Sequence, residues 1–197
     1  EIERGVIDQT LKGQTQTLTV DGGVERSACP LASPEFADVK FTLRAVNFTG
    51  LGAIDPSILA PSFNGYVEQE VPVAAVCEIR DRAATILRSS GYLAAVQVPP
   101  QTIEGGTVQF DVLLARMTSV QVRGDAGPSE RLLQKYIQKL VDEPIFNIDV
   151  ADRYLLLARD IPGLDVRLSL RPVSSGNRGD VVGEFNVVRT PVYVDAN

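Results

Sequence analysis

Histidine and tryptophan are absent from this chain, and it holds only two cysteines and one methionine. Without histidine there is no imidazole for acid–base work, no Ser-His-Asp triad and no histidine-bound metal. Two cysteines cannot complete a four-cysteine zinc site. The 197 residues carry 19 basic and 25 acidic side chains, a net charge of −6. That leaves no basic excess for nucleic acid or anionic lipid. No apolar run reaches the ~18 residues that a membrane-spanning helix needs. Asp8, Asp21 and Asp38 are too dispersed for a calcium site. Gly22-Gly23 and Gly105-Gly106 lack the lysine and spacing of a phosphate loop. Ser89-Ser90 has no base to activate it. These absences argue against an enzyme, and they imply no cofactor, no metal and no small-molecule substrate.

What is present reads as an ordinary globular composition, 44 % hydrophobic and 22 % charged. Glu1 to Lys12 lacks the basic-then-apolar plan of a signal peptide, and a start at Glu1 is expected of a processed or trimmed chain. Residues 1–37 read as an extended lead-in. Gln14 to Val20 has strand propensity but little apolar content, and Pro30 and Pro34 keep the following stretch extended. Cys29 and Cys77 leave two readings open: a disulfide in an oxidising compartment, or two unpaired thiols, one of them packed in a helix.

From Val39 onward the pattern becomes regular. Phe41, Leu43 and Ala45, continued by Val46 and Phe48, predict one strand that stops at Gly50. Asp55-Pro56 predicts an N-cap with proline at the first helical position of a short helix to about Phe63. Pro72 is expected to open a longer helix. Val73, Val76, Cys77, Arg80, Ala83, Ala84 and Leu87 fall at helical spacing there, with Arg80, Asp81 and Arg82 expected toward solvent and Gly91 as the stop. Two strands follow, carrying Val96 and Val98, then Val108, Phe110, Val112 and Leu114. Glu104-Gly105-Gly106 lies between them as a hairpin.

The same order then recurs. Val120 and Val122 lead to Gly124. Gly127-Pro128-Ser129 opens a helix with Leu133, Tyr136, Ile137 and Leu140. Asp149 is expected to cap a second helix with Ala151, Tyr154, Leu155 and Ala158. Strands with Val166, Leu168 and Leu170 and with Val181, Gly183, Phe185 and Val187 close the copy. Gly50 and Gly124 lie 74 residues apart, and Gly91 and Gly163 lie 72 apart. Two tandem β-α-α-β-β units account for this spacing. The fold class is α+β, each unit a three-stranded mixed sheet with two helices on one face. The expected division is 1–37 lead-in, 38–116 first unit, 117–189 second unit, and 190–197 the start of a further region. Arg116 to Val120 leaves almost no linker between units. Pro99-Pro100 and Pro172 sit at the ends of the second strands, as proline does at an edge or strand end. The third strand is expected in the middle and the second at an open edge, free for strand addition.

The tandem order resembles the POTRA domain, the periplasmic module of outer-membrane barrel transporters. Gly91-Tyr92, then Pro99-Pro100-Gln101, then Gly105-Gly106-Thr107-Val108-Gln109-Phe110-Asp111-Val112 look like the first POTRA domain of two-partner secretion transporters of the hemolysin-activator type, in the Omp85 superfamily. Cys29-Pro30 resembles that family's Cys-containing lead segment, and Cys77 sits where such chains often carry a second cysteine. The stretch Val192 to Asn197 looks like the beginning of a first barrel strand. Leu114-Ala115-Arg116 departs from the Glu-Gly that commonly ends the third strand. The resemblance implies a module at the periplasmic face of the outer membrane, preceding the chain's own C-terminal β-barrel. It would capture a secreted exoprotein through that partner's N-terminal secretion domain. A scaffold for barrel or envelope assembly is the alternative. The partner-binding residues expected on this basis are Val96, Gln97, Val98 and Gln101 in the first unit and Arg167, Ser169 and Arg171 in the second. Each set is placed in a groove between the open second strand and the neighbouring helix. A proline at Ser169 is expected to weaken capture without unfolding the domain.

Overall fold

The computed structural model describes residues 18–20, 29, 31, 33–103, 105–173 and 176–190. Of the stretch expected to begin a barrel, 190–197, all but residue 190 lies outside them, as does most of the lead-in, including Asp8 and Asp21.

In the first unit the single strand expected from Phe41 to Gly50 is two. β2 (Lys40–Leu43) and β3 (Ala45–Thr49) break at Arg44 and join different sheets. The N–H groups of Arg44 and Ala45 both reach the Gly106 carbonyl, at 2.8 and 3.3 Å, which turns the chain from one sheet into the next. β2 pairs antiparallel with β4 (Gln69–Pro72). Pro72 therefore ends a strand rather than opening a helix, and helix α1 runs Ala75–Ser89. The short helix after Asp55 is a 3₁₀ helix, Pro56–Ser62, and the Asp55 carboxylate accepts from the Ser57 N–H at 2.8 Å. Pro61 within it denies an α-helical ladder its next donor. β5 (Ala94–Gln97) and β6 (Thr107–Leu114) complete a sheet of order β3-β6-β5, with the third strand central as expected. Leu43, Leu59, Val76, Leu87, Val108 and Phe110 form the heart of its core. Phe48 stacks on Phe110 at a centroid distance of 5.1 Å. Burial of each such side chain contributes about 1.5–3 kcal/mol.

The second unit follows without a linker. β7 spans Arg116–Gly124, α2 Glu130–Val141, α3 Ile148–Arg159, β8 Leu164–Pro172 and β9 Asp180–Arg189. β9 lies between β7, parallel to it, and β8, antiparallel. Both helices cover one face, burying Leu133, Ile137, Leu140, Phe146 and Leu155 against Val166, Leu168, Leu170 and Phe185. A fourth strand extends this sheet. β1 (Leu18–Val20), from the lead-in, pairs parallel with β8 through Leu18–Leu168, Thr19–Ser169 and Val20–Leu170.

The cap of α3 is Asn147, not Asp149. Its side-chain oxygen accepts from the N–H groups of Asp149 and Val150, at 2.9 and 3.3 Å. The amide nitrogen of the same side chain donates to the Ser90 carbonyl at the end of α1, 3.2 Å away. One carboxamide thus ties the start of a helix in one unit to the end of a helix in the other. Two backbone bonds reinforce the joint: Phe146 N–H to Ala115 C=O and Ile148 N–H to Gly91 C=O, each 2.8 Å. Asn147→Ala removes a helix cap and this inter-unit bond together. It is expected to cost about 1–2 kcal/mol and to lower the melting temperature by several degrees. Thermal unfolding checks this; an unchanged melting temperature would show that the joint does not depend on Asn147.

Candidate functional site

An open groove of about 530 Å³ runs between α1 and β5 in the first unit. Val73, Val76 and Cys77 from α1 and its approach form one wall. Val96, Gln97 and Val98 from β5 and its continuation form the other, and Pro99, Pro100, Gln101 and Ile103 complete the rim. The four residues expected here from the sequence, Val96, Gln97, Val98 and Gln101, all line this single groove. Leu31, from the lead-in, also lines it. Leu31 is held there by a disulfide two residues away: Cys29 is bonded to Cys77, with Cα atoms 5.9 Å apart.

Arg80 corrects an expectation. It lines the groove rather than facing water, is only 8 % exposed, and carries Asp81 as an ion-pair partner at 2.9 Å. The interior of the groove is thus mainly aliphatic, with one paired guanidinium and two carboxamides as its polar groups. Such a lining offers apolar contact along both walls and a few fixed polar groups. Among the described residues no group of three His, Cys, Asp or Glu side chains could hold a metal ion.

The backbone of β5 adds a second feature beside the groove. In an antiparallel pair, alternate residues direct N–H and C=O toward the partner strand. The Ala115 N–H to Leu93 C=O bond fixes the parity, so Leu93, Ala95 and Gln97 face β6. Ala94, Val96 and Val98 therefore direct their backbone groups outward. Among the described residues no strand pairs with that side.

The second unit differs. Arg167, Ser169 and Arg171 alternate with the buried Val166, Leu168 and Leu170, so they lie on the sheet face away from the helices and not in a strand–helix groove. They are also engaged. Arg167 pairs with Asp165 at 3.2 Å, and Arg171 with Glu184 at 3.2 Å. Glu184 is 7 % exposed and also faces Arg123 at 3.7 Å. Ser169 stands opposite Glu184 in the ladder. The open edge expected at β8 is occupied by β1. The bonds Thr190 N–H to Gly163 C=O and Val173 N–H to Asp180 C=O set the parity of β8, so Ser169 points its backbone at β9. A proline at Ser169 would break the middle of the sheet, and it is no clean test of an edge.

The sequence offered one signal for β1, the strand propensity of Gln14 to Val20. Its partner lies some 150 residues later, and local pattern carries no information about that pairing.

Comparison with known proteins bears on the fold. Residues 41–114 match the family model described as POTRA domain, ShlB-type. The heme/hemopexin transporter protein HuxB of Haemophilus influenzae is 26 % identical over 132 residues, covering 66 % of this chain and 22 % of HuxB. Among solved structures, CdiB from Escherichia coli superposes over 96 % of this chain and 34 % of its own, with a TM-score of 0.64 at 15 % identity. The N-terminal domain of Omp85 from Thermosynechococcus elongatus matches 77 % of this chain and 67 % of its own, with a TM-score of 0.59 at 16 % identity. Residues 41–114 are a POTRA domain of the ShlB type, set in a chain whose two α+β units share the fold of these structures. The chain is a homologue of HuxB and spans about a fifth of that relative's length.

Proposed function

We propose that this chain is the periplasmic polypeptide-recognition region of an outer-membrane protein-secretion transporter. Residues 38–116 and 117–189 are its two POTRA units, and a β-barrel of the same protein is its membrane part. The exoprotein, secreted across the outer membrane, is captured unfolded by strand addition at a sheet edge. The observation that carries this reading is the coincidence of an apolar groove with the outward backbone groups of Ala94, Val96 and Val98. Backbone pairing supplies affinity that does not depend on guest sequence, and the groove selects apolar side chains at alternate positions. The first unit is the capture site, because the β8 edge of the second is already paired with β1. An unfolded guest must be ordered on binding, so the affinity is weak. Homology to HuxB, itself named a transporter, supports secretion over a scaffold role.

Titration with the N-terminal secretion domain of a large β-helical exoprotein, followed by backbone amide shifts, tests the proposal. Shifts are expected to concentrate from Ala94 to Gln101. Val98→Pro removes one outward donor at the strand's end and is expected to weaken binding about 5–10-fold, the worth of one hydrogen bond. Shifts scattered over the surface, with Val98→Pro binding as well as wild type, would sink strand addition at β5.

A further inference from the structure

The sequence Pro99-Pro100-Gln101 marks the point where β5 stops, and its three residues divide the work of stopping it. The ladder pairs Gln97 with Asp111. Two residues further along, the next hydrogen-bonded rung would set Pro99 against Gln109. Proline has no N–H, so Pro99 cannot serve the Gln109 carbonyl. The Gln101 side chain fills that place. Its Nε2 donates to the Gln109 carbonyl at 2.8 Å, and its Oε1 accepts from the Gln109 N–H at 2.8 Å. A primary carboxamide has the same donor and acceptor groups as a peptide unit, so the rung is completed by a side chain. The Gln101 amide, expected from sequence to meet a partner, is committed to β6 instead.

On the opposite side of the strand the outward rungs are Ala94, Val96 and Val98, and the next in that series is Pro100. It offers no N–H to an added strand. One proline thus falls on the inward series and the other on the outward series. Only the inward loss is compensated, because an uncompensated gap there would leave Gln109 unpaired against the sheet.

We infer that Pro99-Pro100-Gln101 is a register stop for the captured strand: Gln101 seals the sheet where Pro99 interrupts it, and Pro100 ends the guest's pairing after Val98. This rests on strand addition at β5 and deepens it. The guest it fits is a short extended segment pairing over Ala94 to Val98, its apolar side chains sharing the groove with Val96 and Val98 and its chain leaving the sheet at the proline rim. A guest slipped two residues further along would lose a rung, so the stop selects one register from several of equal apolar pattern.

Amide hydrogen exchange on the full 197-residue chain tests this in two arms. In the free protein, Gln101→Ala is expected to speed exchange of the Gln109 N–H at least tenfold and to leave Asp111 unchanged. Unchanged protection at Gln109 would overturn the role given to Gln101. In the second arm the probe is a lysine-capped synthetic peptide alternating valine and threonine, at saturating concentration. With wild type, exchange at Ala94, Val96 and Val98 slows. With Pro100→Ala, the new amide at position 100 becomes protected as well. If Val96 is protected but position 100 exchanges freely in Pro100→Ala, the register stop is wrong while strand addition stands. If Val96 is unprotected in both proteins, strand addition at β5 itself fails.

Discussion

Gly124→Ala should destabilise the second unit by about 3 kcal/mol or more, with a fall in melting temperature of roughly 6–12 °C. Gly124 closes β7 with φ at +101°, a left-handed backbone that costs an L-residue about 1–2 kcal/mol. A Cβ there would also press into the Val187 carbonyl oxygen of β9, the residue Gly124 faces in the ladder. That atom belongs to the central strand and cannot move aside, so β7 must lift and forfeit its last rung, about another 1 kcal/mol. Gly50 stands in the same relation to the Val112 carbonyl of β6, with φ at +78°, and Gly50→Ala should do comparable damage to the first unit. Gly65→Ala serves as control, since nothing lies within 4 Å of a Cβ there. Melting curves of the three variants decide the matter. Gly124→Ala within about 1 kcal/mol of Gly65→Ala would refute the steric account.

Reduction of the Cys29–Cys77 bond should have an effect of similar size. The bond closes a loop with a sequence separation of 48 residues. Chain entropy for a loop of that size corresponds to about 4 kcal/mol, or a loss of roughly 8–16 °C in melting temperature. Cys29→Ala/Cys77→Ala should match the reduced wild type. A variant that melts with oxidised wild type would show that the crosslink constrains little. Reduction should also loosen Leu31 from the groove wall, so guest affinity should change under a dithiol reductant in wild type and not in the double variant.

Much of the architecture was legible because it is locally encoded. The glycine spacing announced the repeat, and the structure supplies its cause: Gly50 and Gly124 are equivalent points where an edge strand meets a central carbonyl. Val96, Val98 and Gln101 could be placed at the groove because alternation and proline position locate a strand's end. The break at Arg44 left one trace in the sequence, the change of phase from Phe41, Leu43 and Ala45 to Val46 and Phe48, but nothing local shows that the Gly106 carbonyl turns the chain there into a second sheet. Nor could it reveal the pairing of β1 with β8, which joins the two extremes of the chain. Arg80 misled for a related reason. A charged residue within an apolar stripe is usually turned to water, whereas here Asp81 neutralises it at the groove. Asp149 and Asn147 are both good caps by type, and the choice between them was made by the neighbouring unit through Ser90.

The connection between α2 and α3 carries a constraint of another kind. Ile145 packs into the core of the first unit, and the next residue, Phe146, is buried in that of the second. Adjacent side chains thus serve two separate interiors, and Asn147 follows as the tie between helix ends. Removing or adding one residue here would hand each core the other's side chain and carry the tie out of reach. The segment should therefore accept scarcely any change of length, which makes it a poor place to insert a tag.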